Sequence, residues 1–223
     1  MKRKQAVFEY SDEQLAALEK ALSTDRLQPY LILSNGEKLQ AIQLYEWNTA
    51  LSESLYGLLQ GLEIALRNAM HRSLIEAYQR EDWYEVCPLH HELKETIRKA
   101  KARILLDGKV VAPPKVVAEL TFGFWVSLTS PRYAQLLWDR MLRRAFLKNL
   151  GRKAAHKRLD RIRKLRNRVA HHESILGRNL KDDFALILEA AHWICPVTAA
   201  WLRANSTFHD RYAQRPAKVR DEA

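Results

Sequence analysis

Arg166-Asn167-Arg168-Val169-Ala170-His171-His172-Glu173 places a guanidinium, a carboxamide and an imidazole within six residues. These groups suit phosphodiester cleavage without a metal. An imidazole can move a proton near neutral pH. A guanidinium can hold a phosphate by two parallel hydrogen bonds and stabilise the charge that builds on it. The carboxamide can orient either group. Asn167 and His171 are four apart and share a helix face, with Arg163 one turn earlier. Arg166 and His171 are five apart, about 140° around an ideal helix, so they do not stack directly. Either the long Arg side chain bends round part of that angle, or a second copy of the motif supplies what one copy lacks. The plain structural alternative is a basic helix whose His171 and His172 make capping contacts near its C-terminal end.

The elements that must position this motif are helical. The 223-residue chain is 47% hydrophobic and 28% charged, which leaves room for one sizeable core or two small ones. Seven Gly and seven Pro are too few for a turn-rich β architecture. Ser11-Asp12-Glu13-Gln14 predicts a capping box opening a helix to about Leu22. Ser34-Asn35-Gly36 predicts a turn. From Glu37 to about Tyr78 apolar residues recur at three- and four-residue steps, a helix long enough to expect a break near Asn48 or at Gly57 and Gly61. Asp82-Trp83-Tyr84 reads as a corner, and His90 to Leu106 as a helix ended by Asp107-Gly108. Pro113-Pro114 starts the next segment, and Phe122 to Trp125 runs into a buried stretch. Pro131 opens a helix through Leu137, Trp138 and Phe146. Arg152 to Ile175 follows, with Leu159, Ile162, Leu165 and Val169 as its apolar stripe and Gly177 as its end. Asp182-Asp183 caps a helix to about Ile194, where Pro196 forces a kink or a new start. No strand-period alternation stands out, so the expectation is an all-α fold.

Charge narrows the partners. Between Arg140 and Arg168 there are thirteen Lys/Arg and one acid, Asp160, while the whole chain carries +11. The excess therefore lies in one segment, whose local field favours a polyanion, nucleic acid before membrane. The bland alternative is a solvated helix face. No apolar run of 18 residues exists, so no transmembrane helix is expected, and the basic start is not followed by the apolar core of a signal peptide. Cys87 and Cys195 stand alone and read as reduced and structural.

The motif and its continuation to Ser174-Ile175-Leu176 resemble the signature of the Abi-like (abortive infection) bacterial proteins of the HEPN superfamily of RNases. Other stretches fit the same pattern in order: Arg26-Leu27-Gln28-Pro29-Tyr30, Leu44-Tyr45-Glu46-Trp47-Asn48, Leu62 to Ala69, Leu120 to Trp125, and Trp193-Ile194-Cys195-Pro196. The resemblance covers about residues 24 to 216. Ser174 departs from it, standing where the family pattern has Pro, which should loosen the turn.

The resemblance implies a HEPN-like helical bundle with additional N-terminal helices. Its single domain divides into an extension over 1–35, a core over 36–205 and a tail over 206–223. It implies a cytoplasmic, metal-independent endoribonuclease with no cofactor, acting in phage defence or as a toxin. Its partners would be RNA, a second copy completing a composite site in a homodimer, and an antitoxin made of protein or small RNA. Arg166 and His171 match the family's two invariant positions and Asn167 its polar position. Arg168, His172 and Glu173 would support them, and Glu63, Arg67 and Asn68 would hold the catalytic helix from across the cleft. A buried Glu63–Arg67 pair without a catalytic role is equally allowed. Arg152, Lys153, Lys157, Arg158, Arg161, Arg163 and Lys164 would bind RNA. The rival reading is a non-catalytic RNA-binding or regulatory protein of the same fold.

Three further features have a functional and a dull reading. Arg67-Asn68-Ala69-Met70-His71 echoes the motif, either as a second half-site or as polar lining on a long helix. His90-His91-Glu92 has the residue types of a metal site, but adjacent imidazoles diverge by about 100° on a helix, and no zinc-ligand spacing is present. Six Trp read mostly as core, with Trp83-Tyr84 a candidate platform for a base.

Overall fold

The computed structural model describes residues 8–147 and 150–216; the basic start, Lys148, Asn149 and residues 217–223 of the tail lie outside them. Among the described residues every regular element is helical and no strand occurs, as an all-α fold requires. None of these helices is long and apolar enough to cross a membrane.

α1 (Asp12–Leu22) opens with the expected capping box: Ser11 Oγ accepts from Gln14 N, and the Gln14 side chain accepts from Ser11 N. α2 (Thr24–Leu33) falls in the extension where additional N-terminal helices were expected, with Pro29 inside it although proline disfavours a helix interior. Burial overrides that signal, since Leu27 and Tyr30 are 2% and 1% exposed.

α3 (Lys38–Tyr78) runs unbroken for 41 residues, against the expectation of a break. Its one face carries Leu44, Leu51, Leu55, Leu62, Leu66, Met70 and Leu74 into the core, and packing on that scale outweighs the roughly 1 kcal/mol that each helical glycine costs. Gly61 has a reason to be glycine, because a methyl group there would run into the Leu202 side chain. Nearly every other helix packs on α3, including α7 (Arg152–Ala170), α8 (Leu180–Ile194), α9 (Pro196–Ala204) and α10 (Phe208–Ala213). Leu27, Tyr30 and Phe208 sit in the same core as α3, so extension, core and start of the tail are packed as one.

α4 (His91–Leu106), α5 (Pro113–Glu119) and α6 (Phe122–Ser127) follow near their expected places. The helix expected from Pro131 to Phe146 is not regular. It is a 3-10 turn at Pro131–Tyr133, a π turn at Ala134–Trp138 and another 3-10 turn at Leu142–Ala145. Tertiary partners replace helical ones here: Ser73 Oγ donates to Met141 O at 2.7 Å, and Leu147 N donates to Trp193 O at 2.6 Å.

α7 buries Leu159, Ile162, Leu165 and Val169, the expected stripe, together with Ala155. Asp183 does not cap α8, as the sequence suggested; Asn179 does, its side chain accepting from Asp182 N. Asp183 is instead buried, 1% exposed. It accepts from Arg161 Nε and Arg178 Nε, each at 2.7 Å, and from Arg178 Nη2 at 3.1 Å. One carboxylate thus ties α7, the loop after it and α8. Leaving a buried ion network without its central charge typically costs roughly 3–5 kcal/mol. Asp183→Asn is therefore expected to lower the unfolding free energy by about 3 kcal/mol, read from urea denaturation. A midpoint unchanged from wild type would show that the network adds nothing to stability.

Candidate active site

The motif lies at the C-terminal end of α7. The helix stops at Ala170, five residues short of Ile175, because the chain closes there in a Schellman turn. His171 N donates to Asn167 O, His172 N to Val169 O and Glu173 N to Arg168 O, at 2.9, 3.2 and 2.8 Å. His172 takes the left-handed position at φ 57°, a place usually held by Gly or Asn.

Two distant side chains and one local one pin this turn. Arg26 of α2 donates through Nη1 to the carbonyls of His171 and His172. Asn48 of α3, 3% exposed, accepts from the buried backbone N–H of Ile175 at 2.8 Å. Arg168 folds back, donating to Ser174 O at 3.1 Å and pairing with Glu173 at 3.4 Å. The turn that Ser174 should have loosened is therefore held, by a backbone carbonyl that Pro and Ser offer equally. Tyr30 of α2 also lies against it. Burial pushes its phenol up, and the Ser174 side chain works in the opposite direction.

Arg166 is placed by Glu63 of α3. Its Nε donates to Glu63 Oε2 at 3.3 Å, while Glu63 Oε1 accepts from Phe122 N at 2.8 Å. The carboxylate thus fastens α3, α6 and α7 together and takes only the Nε edge of the guanidinium. The two terminal nitrogens make no hydrogen bond among the described residues and can address a phosphate. The Glu63–Arg67 pair allowed by the spacing does not form, because Glu63 turns to Arg166. Arg67 donates to Asn68 Oδ1 at 3.2 Å instead, and this pair makes no hydrogen bond to α7.

Arg166 and His171 make no hydrogen bond to each other within one chain. His171 is exposed, its ring bonded to nothing among the described residues, and the Asn167 side chain is half-buried and likewise unbonded. Asn167 and His171 continue the face of α7 that carries Arg163. A cleft of about 630 Å³ lies on one side, between α2 and the turn, lined by Arg26, Arg168, Glu173 and Arg178 among others. A second, of about 700 Å³, lies on the other, with His156, Asp160 and Arg163 along its wall.

The basic segment is less free than its composition suggests. Arg161 is bound to Asp183, Arg163 and Lys164 to Asp160, and Arg158 lies 3.9 Å from Glu189 and over the Trp193 ring. Arg152 donates to Thr129 O. Of the seven proposed RNA-binding residues, Lys153 and Lys157 alone show neither hydrogen bond nor ion pair among the described residues. Burial pushes the Asp160 carboxyl up, but hydrogen bonds from Arg163 and Lys164 outweigh it and hold the group below its ordinary value. Trp83 and Tyr84 are 0% and 5% exposed, so neither can stack a base, while Trp201 of the supposed core set is 60% exposed.

The motif echo is structural at its histidine. Trp83 Nε1 donates to His71 Nδ1 at 2.9 Å, which fixes a neutral imidazole. Burial lowers the His71 pKa, Arg67 and Arg72 add to the effect, and Glu81 opposes it. His90, His91 and Glu92 come closer than an ideal helix allows. His90 is the N-cap of α4, at φ −67° and ψ 157°, so the helical 100° rule does not apply to it. The two rings lie 4.4 Å apart and the potential ligand atoms of the three residues lie within 4.8 Å of one another. This is the one group among the described residues able to hold a metal; the positive end of the α4 dipole opposes a cation there.

Several positions of consequence carried only a weak sequence signal. Asn48 is a polar residue on the apolar stripe of a long helix, which marks a side chain with a buried partner. Arg26 and the Phe122 backbone N–H gave no local sign of their roles.

Two outcomes follow. The left-handed position costs a non-glycine residue roughly 1–2 kcal/mol, and glycine loses roughly 0.4–1 kcal/mol more on folding. His172→Gly should therefore raise the unfolding free energy by roughly 0.5–1 kcal/mol. A clear loss would mean that the His172 ring holds the turn. For His71, the folded pKa lies below the ordinary 6.5, so its contribution to stability is full above pH 6.5 and falls as pH drops through the folded value. His71→Gln keeps an acceptor for Trp83 and cannot titrate, so its stability should decline less than wild type below that pH. Parallel curves would remove His71 as the cause.

Compared with known proteins, the chain matches no family model, no curated protein and no solved structure.

Proposed function

We propose that this protein is a metal-independent endoribonuclease of the HEPN type, cleaving RNA to 2′,3′-cyclic phosphate and 5′-hydroxyl ends. The observation that carries the reading is the treatment of Arg166. Glu63 holds its Nε edge and leaves both terminal nitrogens for an anion, at the end of a helix whose closing turn is pinned by Arg26 and Asn48. A guanidinium tethered by one edge keeps its direction without losing its bidentate capacity.

In this mechanism a ribose 2′-hydroxyl attacks the adjoining 3′-phosphate. His171, exposed and unbonded, takes or returns the proton. The terminal nitrogens of Arg166 stabilise the charge of the pentacoordinate phosphorane. Asn167, on the same face, orients a phosphate oxygen or the imidazole. Because Arg166 and His171 do not meet within one chain, the working site is completed by the motif of a second copy in a homodimer. A role in abortive infection, with a protein or small-RNA antitoxin as restraint, fits such an enzyme.

The test is to incubate the purified protein with total RNA in EDTA and to analyse the ends formed. His171→Ala and Arg166→Ala should each cut roughly 10²–10⁴-fold more slowly. Glu63→Ala should be slow as well, whereas Glu63→Gln keeps an acceptor for Phe122 N and should recover part of the loss. DNA and 2′-O-methyl RNA should resist. RNA that is bound but never cut, with affinity retained in His171→Ala, would replace the enzyme by the non-catalytic binding protein.

A further inference from the structure

His156, Asp160, Arg163 and Asn167 follow one another along α7 at steps of four, three and four residues, the spacing of a single helix face. The first three form one wall of the 700 Å³ cleft. The turn Pro131–Tyr133, α6 and the start of α4 form the others, contributing Ser127, Ser130 and Arg132 among their polar groups. The volume is within the roughly 300–1,000 Å³ of small-molecule pockets. Arg163 and Asn167 are separated by about 6 Å of helix axis, so the cleft opens beside the motif.

Its polar groups are specified. Thr129, wholly buried, has one hydroxyl hydrogen, which it gives to Val126 O at 2.7 Å. The 2.9 Å contact between Thr129 Oγ1 and His156 Nδ1 must therefore run from the imidazole to the hydroxyl. This puts a proton on Nδ1, so in the neutral imidazole of His156, which lines the cleft, Nε2 is the acceptor. Ser127 Oγ donates to Gly123 O at 2.9 Å, so its lone pairs are offered outward. Arg163 is tied to Asp160 through Nε and one terminal nitrogen, which leaves the other free. Arg132 is exposed and makes no ion pair or hydrogen bond among the described residues.

Charge decides what such a lining takes. Asp160 is paired with Arg163 and Glu92 lies on the same lining, so the cleft carries no excess of guanidinium over carboxylate and a bare anion gains little here. A directed imidazole acceptor, hydroxyls and one unpaired guanidinium instead match a nucleobase edge with its phosphate. Single-stranded RNA presents this combination when a base is unstacked and read along its edge. We propose that this cleft holds one unstacked nucleotide of an RNA strand, next to the phosphate that Arg166 would hold. His156 reads the base, and Arg132 holds the backbone. The proposal rests on the endoribonuclease reading and supplies it with a base-selective subsite.

The experiment measures binding apart from cutting. Fluorescently labelled 2′-O-methyl homo-oligomers of A, C, G and U cannot be cleaved, and are titrated into wild type, His156→Ala and Arg132→Ala by anisotropy at several salt concentrations. Wild type should prefer one base. His156→Ala should reduce that preference by about tenfold, and Arg132→Ala should weaken all four oligomers alike and lower the salt dependence by about one counterion. Arg132 is at the surface, so its variant tests the cleft even if His156→Ala folds poorly. Wild-type affinity and preference in both variants would overturn the subsite. So would a mononucleotide that binds as tightly as the oligomers. The two readings fail separately. If wild type cuts no unmodified RNA yet the variants bind as expected, the nuclease falls and the subsite stands. If wild type cuts RNA and both variants cut it at the same bases and rate, the subsite falls and the nuclease stands.

Discussion

The hydrogen bond from Ile175 N to Asn48 Oδ1 is the constraint on which the motif's geometry depends. A helix end leaves carbonyls and the following N–H groups in need of partners, and a buried end cannot use water. Here the chain leaves α7 through a left-handed residue and dives back into the core at Ile175, which is fully buried. The Ile175 N–H would be orphaned there at a cost of roughly 1–3 kcal/mol if α3 carried an apolar side chain at position 48. Asn48 meets that need from a helix that is otherwise a ladder of leucines. Once Ile175 is fixed, His171 and His172 have nowhere to go but the surface, and Arg26 then holds their carbonyls from the outside.

Electrostatics works by a similar economy of partners. Four acids reach into the basic helix: Glu63, Asp160, Asp183 and Glu189. Three come from other elements. A helix as basic as α7 repels itself, and without these carboxylates its packing on α3 and α8 would have to overcome that repulsion as well as conformational entropy. The pairs differ in worth. Asp183 is buried and shared between two guanidiniums, so it governs stability. Glu189 and Arg158, both exposed at 3.9 Å, contribute little. The cations left over, rather than the full count of thirteen between Arg140 and Arg168, set the field that a polyanion would meet.

What the sequence disclosed follows from which forces are local. The capping box at Ser11, the turn at Ser34-Asn35-Gly36, the stripe of α7 and the restart at Pro196 are encoded within a few residues, and each appears where spacing placed it. α2 was expected only through the resemblance, without bounds, because its stabilisation is tertiary. The unbroken α3 and the irregular 131–145 stretch are outcomes of packing in the same way. At the candidate site, the types and the helix could be read, but the end of α7 could not. Its closing residue is a histidine in a position that normally announces itself as glycine. Nor could periodicity reveal that Glu63 faces Arg166 rather than Arg67, since both are one turn or one helix away and only the crossing of α3 and α7 chooses between them.

That crossing has a chemical consequence. Glu63 is a two-handed acceptor: one oxygen is fixed by a backbone N–H at the start of α6, which cannot rotate away, and the other is given to Arg166. A carboxylate held only by an arginine would move with it, and the pair would swing as one flexible unit. Anchoring it to Phe122 N transfers the rigidity of the α3–α6 contact to the guanidinium. The same start of α6 leads through Gly123 to Arg163 and the cleft, where Gly123 lies close to the Arg163 side chain. The orientation of Arg166 and the shape of the neighbouring cleft therefore share one short helix. A displacement of α6 would thus act on the Glu63 anchor of Arg166 and on the cleft wall at once.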